Sequence, residues 1–300
     1  MKSHQIRNSL ILLLTALIWG TAFVAQSVAT DFMGPFTFNG IRFIIGGIVL
    51  LPCIFLLERR NKKQQSVQEK RAERKTLWRG GISCGILLCV ASSFQQFGIG
   101  GTSVGKTGFI TALYIILVPI FGIFMHKRAG AKLWVSVGIA IVGLYLLCMK
   151  KESFSINFYD FIVLLCAVTF ALHILCVDYF SPKVDGVKLS CIQFFVCGII
   201  SLLMMAITEH PEFIAIAGAW KPIAYAGIMS CGVAYTLQVI GQKDLNPVIA
   251  SLIMSLESVV SAISGWLILN QQLSKREVAG CIVMFAAIIL AQLPGKKKKE

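Results

Sequence analysis

Apolar residues in this chain recur in long runs, separated by short segments that carry charge, Gly or Pro. A helix rising about 1.5 Å per residue needs about 20 apolar residues to cross the hydrocarbon core of a bilayer. Ten runs approach that length, over approximately 9–29, 36–57, 79–99, 104–125, 131–149, 159–180, 187–208, 222–242, 248–269 and 277–293. The pattern predicts an all-α integral membrane protein with ten transmembrane helices. The first run, Ser9 to Ala29, follows Lys2 and Arg7 as a signal sequence would. Its 21 residues exceed a typical signal core and it has no convincing cleavage site, so it is read as the first span.

Composition supports lipid as the solvent. Of the 300 residues 56% are hydrophobic and 14% charged, against about 25% charged in soluble domains. With a mean hydropathy of +0.78, too little polar surface is left to clothe a soluble globular enzyme. The ten cysteines lie in or at the ends of apolar runs, without a CxxC pair. They read as small hydrophobes, with neither a disulfide framework nor a metal site expected. The formal charge of +14 would hint at nucleic acid in a soluble chain, but here its distribution decides. With the N-terminus inside, 21 basic residues fall on cytoplasmic segments and five on outer ones. Both termini are therefore expected in the cytoplasm. The same rule accounts for the basic stretch from Glu58 to Arg79 and for Lys296 to Lys299, so no nucleic-acid partner is expected.

The two halves of the chain resemble each other. A shift of 151 sets Asn39–Leu51 over Ser190–Leu202, matching Ile41, Phe43, Gly47, Ile48 and Leu51 to Ile192, Phe194, Gly198, Ile199 and Leu202. A shift of 143 then sets Val90, Ala91, Gln95 and Gly98 over Val233, Ala234, Gln238 and Gly241, and Leu113 and Gly122 over Leu256 and Gly265. The eight-residue difference falls in the long basic loop, where insertions are tolerated. Residues 1–150 and 151–300 thus form two five-helix repeats. An odd number of spans per half inverts the second relative to the first, an arrangement suited to exposing a midplane site to each side in turn.

Several of these segments resemble the drug/metabolite transporter superfamily in its ten-helix EamA-type branch, over nearly the whole chain. LTALIWGTAFVAQ (Leu14–Gln26) resembles that family's opening helix and PFTFNGIRFIIGG (Pro35–Gly47) its second, arginine included. TSVGKTGFITALYIILVP (Thr102–Pro119) is similar to the fourth helix, and NPVIASLIMSLESVVSAISGWLILNQQLS (Asn246–Ser274) to the ninth. The resemblance implies a secondary carrier of small organic metabolites, such as amino acids or related amines and carboxylates, with export as the expected direction. The glutamate which that family often places after helices four and nine is replaced by His126, Lys127 and Arg128 and by Gln271 or Gln272. No role of that glutamate carries over.

Glu257 is the leading candidate residue, lying about 14 Å into a span of about 33 Å. A midplane carboxylate is costly unless it faces a cavity, pairs or takes up a proton, so Glu257 is expected to bind an amine or couple a proton. The 143 shift places Tyr114 at the position equivalent to Glu257. Helical spacing extends these into two faces, Thr107, Thr111, Tyr114 and Val118 on one, and Ala250, Met254, Glu257, Ser261 and Ser264 on the other. Trp19, with Phe170 as its counterpart, supplies an aromatic wall, and Gln95, with Gln238, a hydrogen-bonding group. The expected substrate-binding set is Trp19, Gln95, Thr111, Tyr114 and Glu257. Arg42, Lys106 and His173 join Glu257 as candidates for gating or proton coupling, Arg42 and Lys106 by attracting a substrate carboxylate. Each of these residues also has a plain packing or snorkelling explanation in a membrane helix.

Other readings have weaker support. Gly100–Thr107 (GGTSVGKT) fits the phosphate-loop pattern, but it joins two hydrophobic helices instead of following a buried strand. An integral-membrane enzyme is the competing class, and a multidrug or lipid carrier a second alternative. AISG (Ala262–Gly265) lacks the first glycine of an intramembrane-protease serine motif, and no paired aspartates or histidine cluster accompany it. The expected partners are a small-molecule substrate and the lipid bilayer, with a homodimer left open. No cofactor is expected, and the expected location is a bacterial plasma membrane, crossed many times.

Overall fold

The computed structural model describes residues 3–60, 66–102, 104–125, 130–148, 157–269 and 274–293, and among these every regular element is a helix. His126 to Arg128, Lys150, Lys151, Gln271, Gln272 and Lys296 to Lys299 lie outside the described residues, as does the side chain of Lys106. The helices are α1 (Ser3–Ala29), α2 (Pro35–Arg60), α3 (Val67–Ile99), α4 (Val104–Ala112), α5 (Tyr114–Phe124), α6 (Ala131–Cys148), α7 (Phe158–Phe180) and α8 (Gly186–Thr208). Two short helices, α9 (Phe213–Gly218) and α10 (Trp220–Ala224), lead into a π-helix over Tyr225–Tyr235. The chain ends with α11 (Thr236–Gln242), α12 (Pro247–Met254), α13 (Glu257–Leu269) and α14 (Lys275–Gln292).

Eight described helical segments are long and apolar enough to cross a membrane, where the sequence pattern predicts ten spans. The two that fall short are the fifth, now α6, whose apolar stretch is confined to Ala131–Leu147, and the tenth, now α14. Helix α14 opens on Lys275, Arg276 and Glu277, which removes its first turn from the apolar count. These two helices pack against one another, while α2 packs on α8 and α3 packs on both α7 and α8. The principal core lies where α1, α5, α7, α12 and α13 meet.

The α2–α8 pair is tied at both ends by carboxylates 151 residues apart. Glu209, which follows α8, accepts hydrogen bonds from the backbone N–H groups of Phe36 and Thr37, both at 2.8 Å, and from the Thr37 hydroxyl at 2.6 Å. A helix start leaves its first N–H groups without intrahelical acceptors. Gly34 has no side chain to cap α2, so Glu209 does it from the neighbouring helix. At the opposite end Asp185 caps α8 from within its own segment, accepting from Lys188 N at 3.0 Å. Glu58 there pairs with the Lys188 ammonium at 2.6 Å.

Two helices are interrupted in mid-course. Between α4 and α5 the chain tightens into i→i+3 turns, Leu113 N to Ile110 O at 3.1 Å and Ile116 N to Leu113 O at 2.9 Å. Between α12 and α13 it does so again, Leu256 N to Ile253 O and Ser258 N to Ser255 O, both at 3.2 Å. The Ser251 and Ser255 hydroxyls donate to the carbonyls of Val248 and Leu252, contacts that compete with the helical ladder and bend it. Helix α1 lies against the second interruption. A Cβ on Gly20 would stand 2.5 Å from Val260 Cβ and 2.7 Å from the Glu257 carbonyl oxygen, so only glycine permits this approach.

Two outcomes follow for thermal unfolding of the purified protein. Glu209→Ala leaves three donors at the start of α2 without an acceptor and is expected to cost about 2 kcal/mol. Glu58→Ala removes an exposed ion pair and is expected to cost under about 1 kcal/mol, so equal losses would refute the capping role. Gly20→Val is expected to destabilise by about 1–3 kcal/mol by forcing α1 off α13. An unchanged melting temperature for that variant would show that the contact is not close.

Candidate functional site

The two interruptions meet at a buried cavity. Tyr114 opens α5 and Glu257 opens α13, and the Tyr114 hydroxyl donates to Glu257 Oε1 at 3.2 Å. Both side chains are buried, at 4% and 5% exposure. The start of a helix carries partial positive charge, which favours a carboxylate in the position that Glu257 occupies.

Around this pair, Trp19, Arg42, Gln95 and Thr111 line the same cavity, so the structure gathers six of the eight sequence-predicted residues. The volume open to the centre of a water-sized sphere is about 30 Å³, room for one or two waters. The walls are aromatic, with the Trp19 and Tyr235 ring centroids 4.6 Å apart and Phe170 and Phe23 beside them. Several polar atoms here have no partner among the described residues: Trp19 Nε1, Gln26 Oε1, Gln238 Oε1, and Arg42 Nε and Nη2. Buried polar atoms are seldom left so, and a cluster of them around one void marks a place where water or a ligand completes the bonding.

The remaining two predicted residues do not join the group. The side chain of Lys106 lies outside the described residues. His173 is buried but stands off the cavity, its Nε2 3.1 Å from Gln193 Oε1 and its ring edge-on to Tyr235 at 6.5 Å. No hydrogen bond joins it to Glu257 among the described residues, so the structure does not draw the direct relay from His173 to Glu257 that the sequence raised.

Sequence reasoning missed Phe23, Gln26, Ile174, Ser230 and Tyr235 as cavity residues. Ser230 and Tyr235 come from the π-helix, whose i→i+5 bonding gives a wider turn than the α-helical period used to read faces. Its face could not be read from a 3.6-residue repeat. Gln26 did have a signal, a polar residue two turns from Trp19 on the same helix. Its carbonyl accepts from Gln96 Nε2 at 3.1 Å.

A second, larger recess of about 1210 Å³ opens at the end of the bundle where α2 ends and α8 begins. Five basic residues, Lys70, Arg74, Lys183, Lys188 and Lys243, and three acidic ones, Glu58, Glu73 and Asp185, line it, so it is polar with a modest basic excess.

Comparison with known proteins agrees with this arrangement of helices. A solved crystal structure matches 96% of this chain and 96% of its own length with a TM-score of 0.77 at 17% identity, a likeness of fold alone. An uncharacterized transporter of Archaeoglobus fulgidus is 28% identical over 94% of this chain and 84% of its own length. The uncharacterized transporter YoaV of Bacillus subtilis is 22% identical over 94% of this chain and 96% of its own. The family model for the EamA-like transporter family matches residues 7–149 and again 157–293. The chain is a multi-pass membrane protein that belongs to the EamA-like transporter family.

Proposed function

We propose that this protein is a secondary carrier that exports a small organic metabolite, of the amino acid, amine or carboxylate class, by alternating access of two inverted five-helix halves. The observation that carries this reading is the cavity at the helix interruptions, where a carboxylate and a guanidinium line one small aromatic-walled space. Glu257, Tyr114, Trp19, Gln95 and Thr111 form the substrate site. Glu257 either receives an amine or exchanges a proton for it.

The repeat supports this placement. Tyr114 and Glu257 are 143 residues apart, the same spacing that aligns the halves, and they touch. Residues related by a two-fold axis meet only on that axis, so this pair lies where one half rocks against the other. The interruptions fall at the same spacing, at Leu113 and Leu256, and discontinuous helices at a repeat interface are a recurring design for carrier sites. A chamber for one or two waters admits no metabolite, so loading requires the surrounding helices to part. The recess among the basic residues gives the cytoplasmic approach, with both termini on that side of a bacterial plasma membrane.

The test is substrate counterflow in proteoliposomes, after thermal stabilisation against amino acids, polyamines, nucleosides and organic acids has identified a ligand. At least one of Glu257→Gln, Tyr114→Phe and Trp19→Ala is expected to reduce counterflow by about tenfold or more, the loss of about 1.4 kcal/mol of substrate interaction. Full counterflow in all three variants would sink the placement of the site.

A further inference from the structure

Arg42 is the most deeply buried charge in the described structure, 1% exposed and among the largest fully enclosed side chains. Its guanidinium lies over the rings of Phe38 and Phe43, 5.0 and 4.9 Å from their centroids. Stacking of this kind engages the face of the guanidinium and leaves the N–H groups at its edge still in need of acceptors. Nε and Nη2, two donors of one edge, have none among the described residues. No ion pair joins Arg42 to any carboxylate among the described residues, Glu257 included. Tyr235 lines the same cavity as Arg42. Arginine keeps its charge when buried, so this charge has no internal means of neutralisation.

The other half of the chain has a different arrangement at the equivalent place. The residue 151 positions after Arg42 is Gln193, and Gln193 Oε1 is engaged by His173. The residue 151 positions before His173 is Ala22, buried and without a polar group. The second half thus joins two side chains, with His173 Nδ1 and Gln193 Nε2 left without partners among the described residues, whereas the first half has a cation in one place and a methyl in the other. No acceptor engages Nε or Nη2 of Arg42 among the described residues, and the cavity it lines has room for one small group.

We infer that Arg42 forms a buried anion subsite of the central cavity, separate from Glu257, which takes a small monovalent anion at the guanidinium edge. The chemistry is that of a halide ion or of a carboxylate carried on a larger molecule, each able to accept from two adjacent N–H donors. If the anion is the cargo's own carboxylate the inference rests on the carrier reading, whereas a halide at Arg42 does not. The test therefore reads binding and not transport.

Thermal unfolding of the full chain in detergent is followed in sodium gluconate, an anion too large for the cavity. Chloride, bromide or formate is titrated in at constant ionic strength. Saturable stabilisation by at least one of them is expected, reaching about 5 °C at a hundred times the midpoint concentration. The response is lost in Arg42→Gln, weakened about tenfold in Arg42→Lys and kept in Glu58→Ala, which removes a carboxylate outside the cavity. Stabilisation by halides without formate identifies an inorganic ion, and stabilisation by formate identifies the carboxylate of a cargo. A wild-type protein indifferent to all three anions overturns the inference whether or not the variants fold, and so does an Arg42→Gln protein that responds as the wild type does. A failure of counterflow in proteoliposomes with the anion response intact would remove the carrier reading and leave the subsite standing.

Discussion

The hydrogen bond from Tyr114 to Glu257 joins two helices at the points where each is broken, and the surrounding packing is arranged to make that contact possible. A carboxylate at this depth cannot be solvated by lipid, so it needs a donor, a dipole or a ligand. The fold supplies the first two, through the tyrosine hydroxyl and through the position of Glu257 in the first turn of α13. Holding the pair together requires α1 to press on α13 at Gly20, which brings Trp19 and Glu257 to the same cavity. Hydrogen bonding, helix interruption and glycine contact are thus one constraint expressed at three levels.

Rigidity is distributed unevenly around that centre. Helices α2 and α8 are tied at one end by Glu209 on the start of α2 and at the other by Glu58 on Lys188. The two ties are unequal in strength. Glu209 satisfies backbone donors that otherwise have no acceptor, whereas the Glu58 pair is exposed, its two side chains 56% and 35% accessible, and is easily exchanged for water. The weaker tie lines the wide recess and the stronger one lies at the far end. Opening at the recess end therefore breaks less than opening at the other.

The parts that could be read in the sequence were those encoded by local pattern. Runs of about 20 apolar residues located the helices, and internal spacing placed Tyr114 opposite Glu257 before any contact was visible. Cavity residues such as Trp19, Gln95 and Thr111 stood out because polar or aromatic groups at mid-depth are few. Hidden from that reading were features that depend on how helices depart from ideal geometry. The interruption at Leu113 falls within an apolar run, where hydropathy has no contrast to mark it, and Ser251, Ser255 and Glu257 around the second are equally compatible with an unbroken membrane helix. The π-helix changes the residue period locally, so Ser230 and Tyr235 entered the cavity unannounced. Arg42 illustrates the remaining limit. Its sequence position near a helix end invites snorkelling to the interface, and only the three-dimensional packing shows it turned inward between Phe38 and Phe43.

The size of the chamber constrains how such a site works. A space for one or two waters, ringed by unpartnered donors and acceptors, is stable only if water or a small ion bridges them while a larger cargo is absent. In the proposed carrier, admitting a metabolite would exchange those bridges for direct contacts and would require the helices to separate at the same moment. The Tyr114–Glu257 bond crosses the junction of the two broken helices, so any separation there lengthens it first. Once freed from the tyrosine, Glu257 requires a new partner, because a bare carboxylate in this setting is costly. In the proposed carrier a cationic group or a proton would meet that need, which would couple opening of the cavity to its occupancy and disfavour an open, empty site.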